Sequence, residues 1–369
     1  MIGCRGCGEP GLSRVMDLGK VPPADHFPPA ASPVDAAEAS HHLAMDLCSV
    51  CGLAQLAEDD TTAEEPRGVE PQALRDQAAA AVELAAADGW LVGGTVHEFG
   101  SPHGGTWMPL LTARGHRAAD GAADVVLDCF GIMHDADQRA AFALRAGLTK
   151  PDGVLFVQFH SLAAIVRQGQ WNALRHGHFA YYSLSALQRL LGAVGMRVAT
   201  AWEFDLYGGT VLVAAVHGQG AGDTSVRRIL DAERELGIDG VDGVAGLQRA
   251  ANDHAMALRG WLEREADAGR SVLAYGAASR AVALFSRAGL DTRLIAAIAD
   301  AAPAKQGRRM PATDIPIVSP AELLAANPDR VLLTLPDLLP ELTAALPRLA
   351  GRWQLDSELS TPLPHPVST

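Results

Sequence analysis

The chain is poor in positive charge for its length. Its 369 residues include 30 Lys or Arg against 43 Asp or Glu, a net charge of -13 and a pI near 5.4. An acid excess of this size excludes non-specific attachment to nucleic acid or to an anionic membrane, but leaves room for a local basic pocket. Long apolar runs are missing too. The start, MIGCRGCGEPG, has no apolar core of the kind a signal peptide needs, and no uninterrupted run approaches membrane-spanning length. The expectation is a cytoplasmic protein of two or three domains, with no nucleic-acid or membrane partner and an oligomeric state that composition does not set. Cysteine is scarce, at five residues. In such a compartment these read as metal ligands or buried thiols, not disulfides.

Four of the five form two knuckles, Cys4-Arg-Gly-Cys7 and Cys48-Ser-Val-Cys51. Two residues between paired thiols let both sulfurs turn toward one ion, so Cys4, Cys7, Cys48 and Cys51 can close a tetrahedral structural zinc site. Forty residues separate the pairs, so that loop must carry structure of its own. A redox C-x-x-C is the competing reading, and neither pair follows a βαβ pattern.

A polar run, Glu58 to Glu70, reads as a linker, and an alanine-rich helix follows over roughly Pro71 to Asp88. Thr95 to Phe99 reads as a strand, Gly100 to Gly105 as a glycine turn and Thr106 to Arg114 as a helix, the geometry that offers backbone N–H groups to a nucleotide-like ligand. Strands are expected at Asp124 to Phe130, Gly153 to Phe159, Met196 to Phe204 and Gly209 to His217. Helices are expected at Ala136 to Leu148 and, capped by Ser183, at Leu184 to Val194. This alternation implies a doubly wound, largely parallel sheet closed by an antiparallel pair. Only eight residues lie between Gly115 and Asp124, fewer than the roughly 10 to 12 of a βαβ crossover, so one strand-helix repeat should be missing. Two helices over Asp223 to Ala268 lead into a second α/β unit, with strands at Ser271 to Tyr275, Leu294 to Ala299 and Arg330 to Leu335. The tail after Asp356 reads as disordered. The domains are therefore expected at 1–60, 68–218 and 223–355, with a tail at 356–369.

Chemistry concentrates in Gln170 to Ser183, QWNALRHGHFAYYS, which has neither a helical nor a strand period. His176 and His178 would share a face if the segment were extended. A histidine there could act as a general base, and Tyr181 or Tyr182 could orient a polar substrate. A solvated turn over packed tyrosines is the alternative.

In order, these motifs make the chain resemble the three-domain sugar C-methyltransferases of deoxysugar biosynthesis. CRGC, MDLGKVPPADHF and CSVCGLAQL are similar to the family's zinc domain. HEFGSPHGG sits where its S-adenosylmethionine (SAM) loop of form E-I-G-S-N-D-G would lie. DVVLDCFGIMHD resembles D-V-x-x-x-N-N-x-x-x-H, RHGHFAYYS resembles Y-H-E-H-x-x-Y-x-S, and AYGAAS with Lys305-Gln306-Gly307 resembles the C-terminal Y-G-A and K-Q-G signatures.

The resemblance implies an α/β fold: a small N-terminal zinc domain, a shortened Rossmann-like methyltransferase domain and a C-terminal Rossmann-like domain. It implies methyl transfer from SAM to a carbon beside the keto group of a nucleotide-activated deoxysugar in antibiotic biosynthesis. His178 would take the base position, with His134, His176, Arg175 and Tyr181 around it. Glu98, Gly100, Ser101, Gly104, Gly105 and Asp120 would bind SAM. Tyr275, Gly276, Ser279 and Lys305 would bind substrate.

The chain also departs from the family. Arg175 and Gly177 replace the tyrosine and glutamate of Y-H-E-H, Pro102-His103 replaces the Asn-Asp of the SAM loop, and Cys129 and Phe130 replace the paired asparagines. No tyrosine precedes Tyr181, so the family's tyrosine after the zinc domain is missing. Two other readings accordingly stand beside methyl transfer. One is an epimerase or isomerase that keeps the nucleotide-sugar site without SAM, and the other is a non-catalytic partner in a biosynthetic pathway.

Overall fold

Three sheets organise the computed structural model, which describes residues 3–61, 70–100 and 105–359. The first begins as an antiparallel meander of β1 (Leu12–Val21), β2 (His41–Cys48) and β3 (Ala54–Leu56). The long loop between the cysteine pairs thus carries β1, a 3₁₀ turn at Ala36–Glu38 and β2.

The middle of the chain supplies α1 (Gln72–Ala87), β4 (Thr95–Phe99), α2 (Met108–Thr112), β5 (Arg117–Ala118), β6 (Ala123–Cys129), α3 (Gln138–Leu148), β7 (Thr149–His160) and α4 (Leu162–Arg167). After these come β8 (Ala180–Tyr181), α5 (Leu184–Ala193), β9 (Met196–Phe204) and β10 (Thr210–His217). Asp137 and Ser183 cap α3 and α5 by accepting from backbone N–H groups in the first turn. The second sheet runs β5-β4-β6-β7-β10-β9, with β5, β4, β6 and β7 parallel and β10 antiparallel to both its neighbours. Residues 119–122 join β5 directly to β6 with no helix among them, so the repeat is missing as the residue count requires. The two-residue β5 itself was not expected from the sequence.

Strand β8 leaves this sheet altogether. Ala54 pairs with Tyr181 and Gln55 with Ala180, so a piece of the chemistry-rich segment becomes the fourth strand of the N-terminal sheet.

The third sheet follows α6 (Thr224–Leu236) and α7 (Val241–Asp267), which meet at Gly237. It comprises β11 (Val272–Tyr275), α8 (Ser279–Arg287), β12 (Ile298–Ala299), β13 (Ile317–Val318), α9 (Pro320–Ala326), β14 (Arg330–Leu333), α10 (Leu339–Ala345) and β15 (Trp353–Leu355). Its order is β13-β12-β11-β14-β15, all parallel. The strand expected over Leu294 to Ala299 shrinks to two residues, because Asp291 accepts from the backbone N–H of Arg293 and Leu294 and winds that stretch into a turn. Strands β13 and β15 are additional to the sequence reading. Asp356–Leu359 is a 3₁₀ turn with Asp356 buried, which corrects the expectation of disorder there; residues 360–369 lie outside the described residues. No helix among the described residues is long and apolar enough to cross a membrane.

One apolar core runs from Met16, Leu43 and Met45 of the N-terminal sheet through Trp171 to Leu258 of α7 and Phe285 of α8. A buried ion pair locks this junction. Arg309, 2% exposed, sends Nη1 to Glu38 at 2.8 Å and also donates to the Ser32 and Pro33 carbonyls. Glu38 accepts from Ala312 N–H in addition, and the Arg309 guanidinium pulls its carboxyl down to about 2. The ionised form is favoured in the fold, so its stabilisation is complete above the ordinary carboxylate range and fades as pH falls from about 4.5 toward 2. Glu38→Gln leaves the arginine buried without its counter-charge, which costs about 3 kcal/mol. Denaturant unfolding of wild type and E38Q is expected to show that gap at pH 7 and its narrowing from about pH 4.5 downward, with closure only below about pH 2; equal stabilities at pH 7 would remove the clamp from this account.

Candidate active site and metal centre

The four knuckle cysteines converge. Cys4 Sγ lies 3.5 Å from Cys51 Sγ, Cys7 Sγ lies 3.6 Å from Cys48 Sγ, and all four sulfurs fall within 4.8 Å of one another. Tetrahedral Zn–S bonds of about 2.3 Å put sulfurs about 3.8 Å apart, whereas a disulfide needs about 2.05 Å. The Cys51 thiol donating to Cys4 draws Cys4 down to about 5, so the cluster favours a thiolate. Donor type, number and spacing all fit zinc. All four positions are filled by protein, which makes the site structural. It packs with Leu53 against Leu187 and Leu190 of α5, a helix of the central domain.

The segment after α4 is pinned at both ends. Trp171, fully buried, donates its indole N–H to His254 Nδ1 of α7 at 3.2 Å, and Ala180–Tyr181 is held in the N-terminal sheet. Between them Gly177 adopts φ +77, a left-handed conformation that only glycine takes without strain. The turn breaks the extended geometry in which His176 and His178 would share a face. His176 instead meets the His42 carbonyl at 3.3 Å and stands 6.0 Å from the His41 ring, while His178 faces inward.

His178 lines a cavity of about 240 Å³ to which all three parts of the chain contribute. Arg175 Nε donates to His178 Nε2 at 2.8 Å, and the Arg175 backbone N–H donates to the Tyr181 hydroxyl at 3.1 Å. His134 packs edge-on to His178 at 4.3 Å, behind the cavity wall. Its position follows from Asp128, which accepts from the Gly131 and Ile132 N–H groups and from buried Arg145, shaping the turn after β6. Burial, reinforced by the Arg175 charge, pulls His134 down to about 4, so it is neutral at pH 7. Burial likewise raises the Tyr181 phenol and lowers His176.

The opposite wall belongs to the C-terminal domain. Tyr275, Gly276 and Ser279 line it where β11 turns into α8. Gly276, at φ +94, lets the chain pass Thr334, whose hydroxyl donates to the Gly276 carbonyl at 2.6 Å. Lys305 is also present, but its ammonium is held by the Ala277 carbonyl at 2.8 Å and stands 3.7 Å from Asp300.

The described residues expected to hold SAM lie on and just beyond the neighbouring strands β4 and β5 and ahead of α2. Glu98 is committed to the start of α2, accepting from Trp107 N–H at 2.6 Å and from the Thr106 hydroxyl. Gly100 is exposed at the end of β4, and Gly105 abuts Glu70 on the cavity rim. Asp120 is exposed just past the end of β5. Ser101 and Gly104 lie outside the described residues.

Among the lining residues that sequence reasoning missed are Asp25, His160, Tyr207 and Arg280, together with the carboxylates Glu70, Asp300, Asp337 and Glu341. Arg280 sits 5.7 Å over the Tyr207 ring, which itself follows an unusual φ of +56. Burial, then the charges of Arg280 and Arg175, drives His160 down to about 3. Burial raises Asp25, with Arg175 and Lys305 opposing. Arg280 had a usable signal, as a cation directly following the GAAS turn. Asp25 lay within the MDLGKVPPADHF motif without being singled out, and His160 had no signal, since its place depends on long-range packing.

Residues 205–355 match the family model described as "C-methyltransferase C-terminal domain", and residues 4–64 match the one described as "Putative zinc binding domain". Together they account for more than half of the chain. The chain belongs to the C-methyltransferase family. The C-methyltransferase NovU of Streptomyces niveus is 30% identical over 201 residues, 53% of this chain and 47% of that protein, so the match spans about half the length of the curated relative. Among solved structures, the 1,6-didemethyltoxoflavin-N1-methyltransferase of Burkholderia thailandensis matches 45% of the chain and 96% of its own, at 14% identity and a TM-score of 0.31. The magnesium protoporphyrin IX methyltransferase of Synechocystis matches 40% and 80%, at 14% and 0.30. The C-terminal family match begins at 205, inside the span 68–218 expected for the central domain.

One zinc per chain is the expected result of metal analysis. Cys51→Ser is expected to release it and, because β3 follows directly and carries β8, to loosen Tyr181 as well. Retention of stoichiometric zinc by C51S, or thiols paired as disulfides in the purified protein, would contradict the site.

Proposed function

We propose that this protein is a SAM-dependent C-methyltransferase acting on the carbon beside the keto group of a nucleotide-activated deoxysugar. The observation that carries this reading is the meeting of His178, Arg175 and Tyr181 with Tyr275, Gly276, Ser279 and Lys305 in one cavity. An imidazole is the group whose unperturbed ionisation suits proton abstraction near neutrality, contributing about 10² to 10⁴ in rate. His178 takes the proton from the α-carbon; the C–H electron pair moves toward the carbonyl, whose oxygen gains charge. The Tyr181 hydroxyl is a donor available to that oxygen, and the Arg175 guanidinium faces the same cavity. His134, neutral and packed on the imidazole, fixes its plane.

The ends of the parallel strands fit SAM in part. The crevice outside the carboxyl ends of parallel strands is where such sheets take ligands. Gly100 ends β4 there, and Asp120 follows its neighbour β5 with an exposed carboxylate suited to ribose hydroxyls. SAM supplies an electrophilic methyl group on a sulfonium. The inward commitment of Glu98 and the missing repeat favour one other reading, proton transfer without SAM, as in an epimerase. The NovU relationship and the cations Arg175, Arg280 and Lys305 in the cavity lining support a nucleotide-sugar substrate.

Calorimetric titration with SAM separates the two, and the methyl-transfer reading expects saturable binding, weaker than in a sheet with the full set of repeats. Solvent deuterium exchange at the α-carbon of a keto-sugar nucleotide, followed by NMR, tests the base. His178→Ala is expected to slow exchange by about 10² or more, and His134→Ala by less. Exchange at the wild-type rate in H178A would move the base to another residue.

A further inference from the structure

Arg175 occupies the lone pair that a general base at His178 has to use. The donor is Nε–H and the acceptor is Nε2, at 2.8 Å, so the ring proton of neutral His178 resides on Nδ1. A cation on that nitrogen disfavours the imidazolium that proton abstraction creates. Arg175 is itself poorly satisfied: among the described residues no carboxylate lies within ion-pair distance of it or of Arg280, which lines the same cavity. Arg280 leaves its own buried Nε without a hydrogen-bond partner. Lys305, by contrast, is already engaged by Ala277 and Asp300. Two guanidinium groups that repel each other across a shared space form a site for an anion with more than one charged oxygen.

We propose that Arg175 is a positioning residue that masks His178 in the empty cavity and is drawn off by a phosphate-bearing anion engaging both Arg175 and Arg280, so that the base becomes available only when such a substrate is bound. The inference rests on the reading of His178 as the base, and it concerns the free cavity as well as the loaded one. Phosphate oxygens compete for a guanidinium better than a neutral imidazole does, because both partners are charged and the bond is bidentate. Once Arg175 turns away, Nε2 regains its acceptor role. The other titratable and charged groups facing His178 are His134 and Tyr181 beside it, with Asp25, His160, Tyr207 and Arg280 in the same cavity and Glu70, Tyr275, Asp300, Lys305, Asp337 and Glu341 on its remaining walls. His134 and His160 are held neutral by burial and do not contribute a compensating charge at pH 7.

The probe is inorganic pyrophosphate, and the readout is the titration and tautomer of His178 by ¹⁵N-imidazole NMR on the full chain, its signal assigned by loss in His178→Gln. In wild type, pyrophosphate is expected to raise the proton affinity of His178 by about tenfold, one pH unit. Arg175→Met is expected to show the raised value without pyrophosphate and no response to it, while Arg175→Lys restores part of the masking. Arg280→Met is expected to leave the free-protein titration nearly unchanged and to raise the pyrophosphate concentration needed about tenfold. Zinc content and circular dichroism establish that each variant is folded. An R175M titration identical to wild type overturns the proposal, as does pyrophosphate that fails to bind or binds without moving His178. The measurement requires no turnover, so failure of the methyl-transfer reading, seen in the SAM titration, remains distinguishable from failure of the mask.

Discussion

The cavity exists because the N-terminal sheet is seated against the C-terminal domain, and the Arg309–Glu38 pair is the polar lock on that seat. Burying a guanidinium costs several kcal/mol unless nearly all of its donors are matched. Here Glu38 and the Ser32, Pro33 and Thr313 carbonyls match them, and those groups come from both sides of the junction. Arg308 adds a bond to the Phe27 carbonyl at 2.7 Å, and Arg309 N–H one to Pro28 at 2.9 Å. These contacts fix the 24–33 loop, and with it Asp25, against Lys305. Phe27 then lies under the Lys305 ammonium at 5.1 Å. The substrate side of the C-terminal domain is therefore shaped in part by the zinc domain.

The second consequence runs through β8. A two-residue strand has almost no stability of its own and exists here because β3 offers its edge. The zinc knuckle at Cys48–Cys51 sets the start of β3, β3 sets β8, and β8 sets Tyr181, whose hydroxyl takes the Arg175 backbone N–H. Metal, sheet and cavity are thus one chain of dependence, though the zinc has no chemical task. The electrostatic side follows the same logic. A chain of net charge -13 holds an anion best where local cations have no carboxylate in ion-pair contact, and among the described residues Arg175 and Arg280 are in that position.

Elements with strong local signals were legible in the sequence. Strand β4 matches residue for residue, and the Ser183 cap, the Gly237 break and the converging cysteines all follow from rules that act within a few positions. The missing repeat was legible because chain length alone forbids it. What escaped depends on partners far away in sequence. β8 is defined by β3, 126 residues earlier, and β5, β13 and β15 are too short to carry a period. Glu98 shows how a carboxylate can serve the backbone as readily as a ligand, since Trp107 N–H and the Thr106 hydroxyl donate to it here. His178, Arg175, Tyr275 and Lys305, singled out through motif resemblance, line the cavity, whereas the place of His160 there follows only from the packed structure.

Gly177 shows how one backbone position divides the labour of this segment. With an ordinary residue at φ near -120, His176 and His178 would point the same way, and only one surface could be served. The positive φ turns them apart, and the freed Gly177 N–H donates to Asp59 at 2.7 Å, tying the turn to the zinc domain. His176 then packs at the His41–His42 face while His178 enters the cavity beside Arg175. A Cβ at 177 meets no neighbouring atom within 4 Å, so the constraint there is conformational and not steric. A residue with a side chain costs about 1 to 2 kcal/mol in the left-handed region, and the relief of that strain is a rotation that swings His178 off Arg175. The turn that glycine permits at 177 is the turn in which Nε of Arg175 reaches the imidazole.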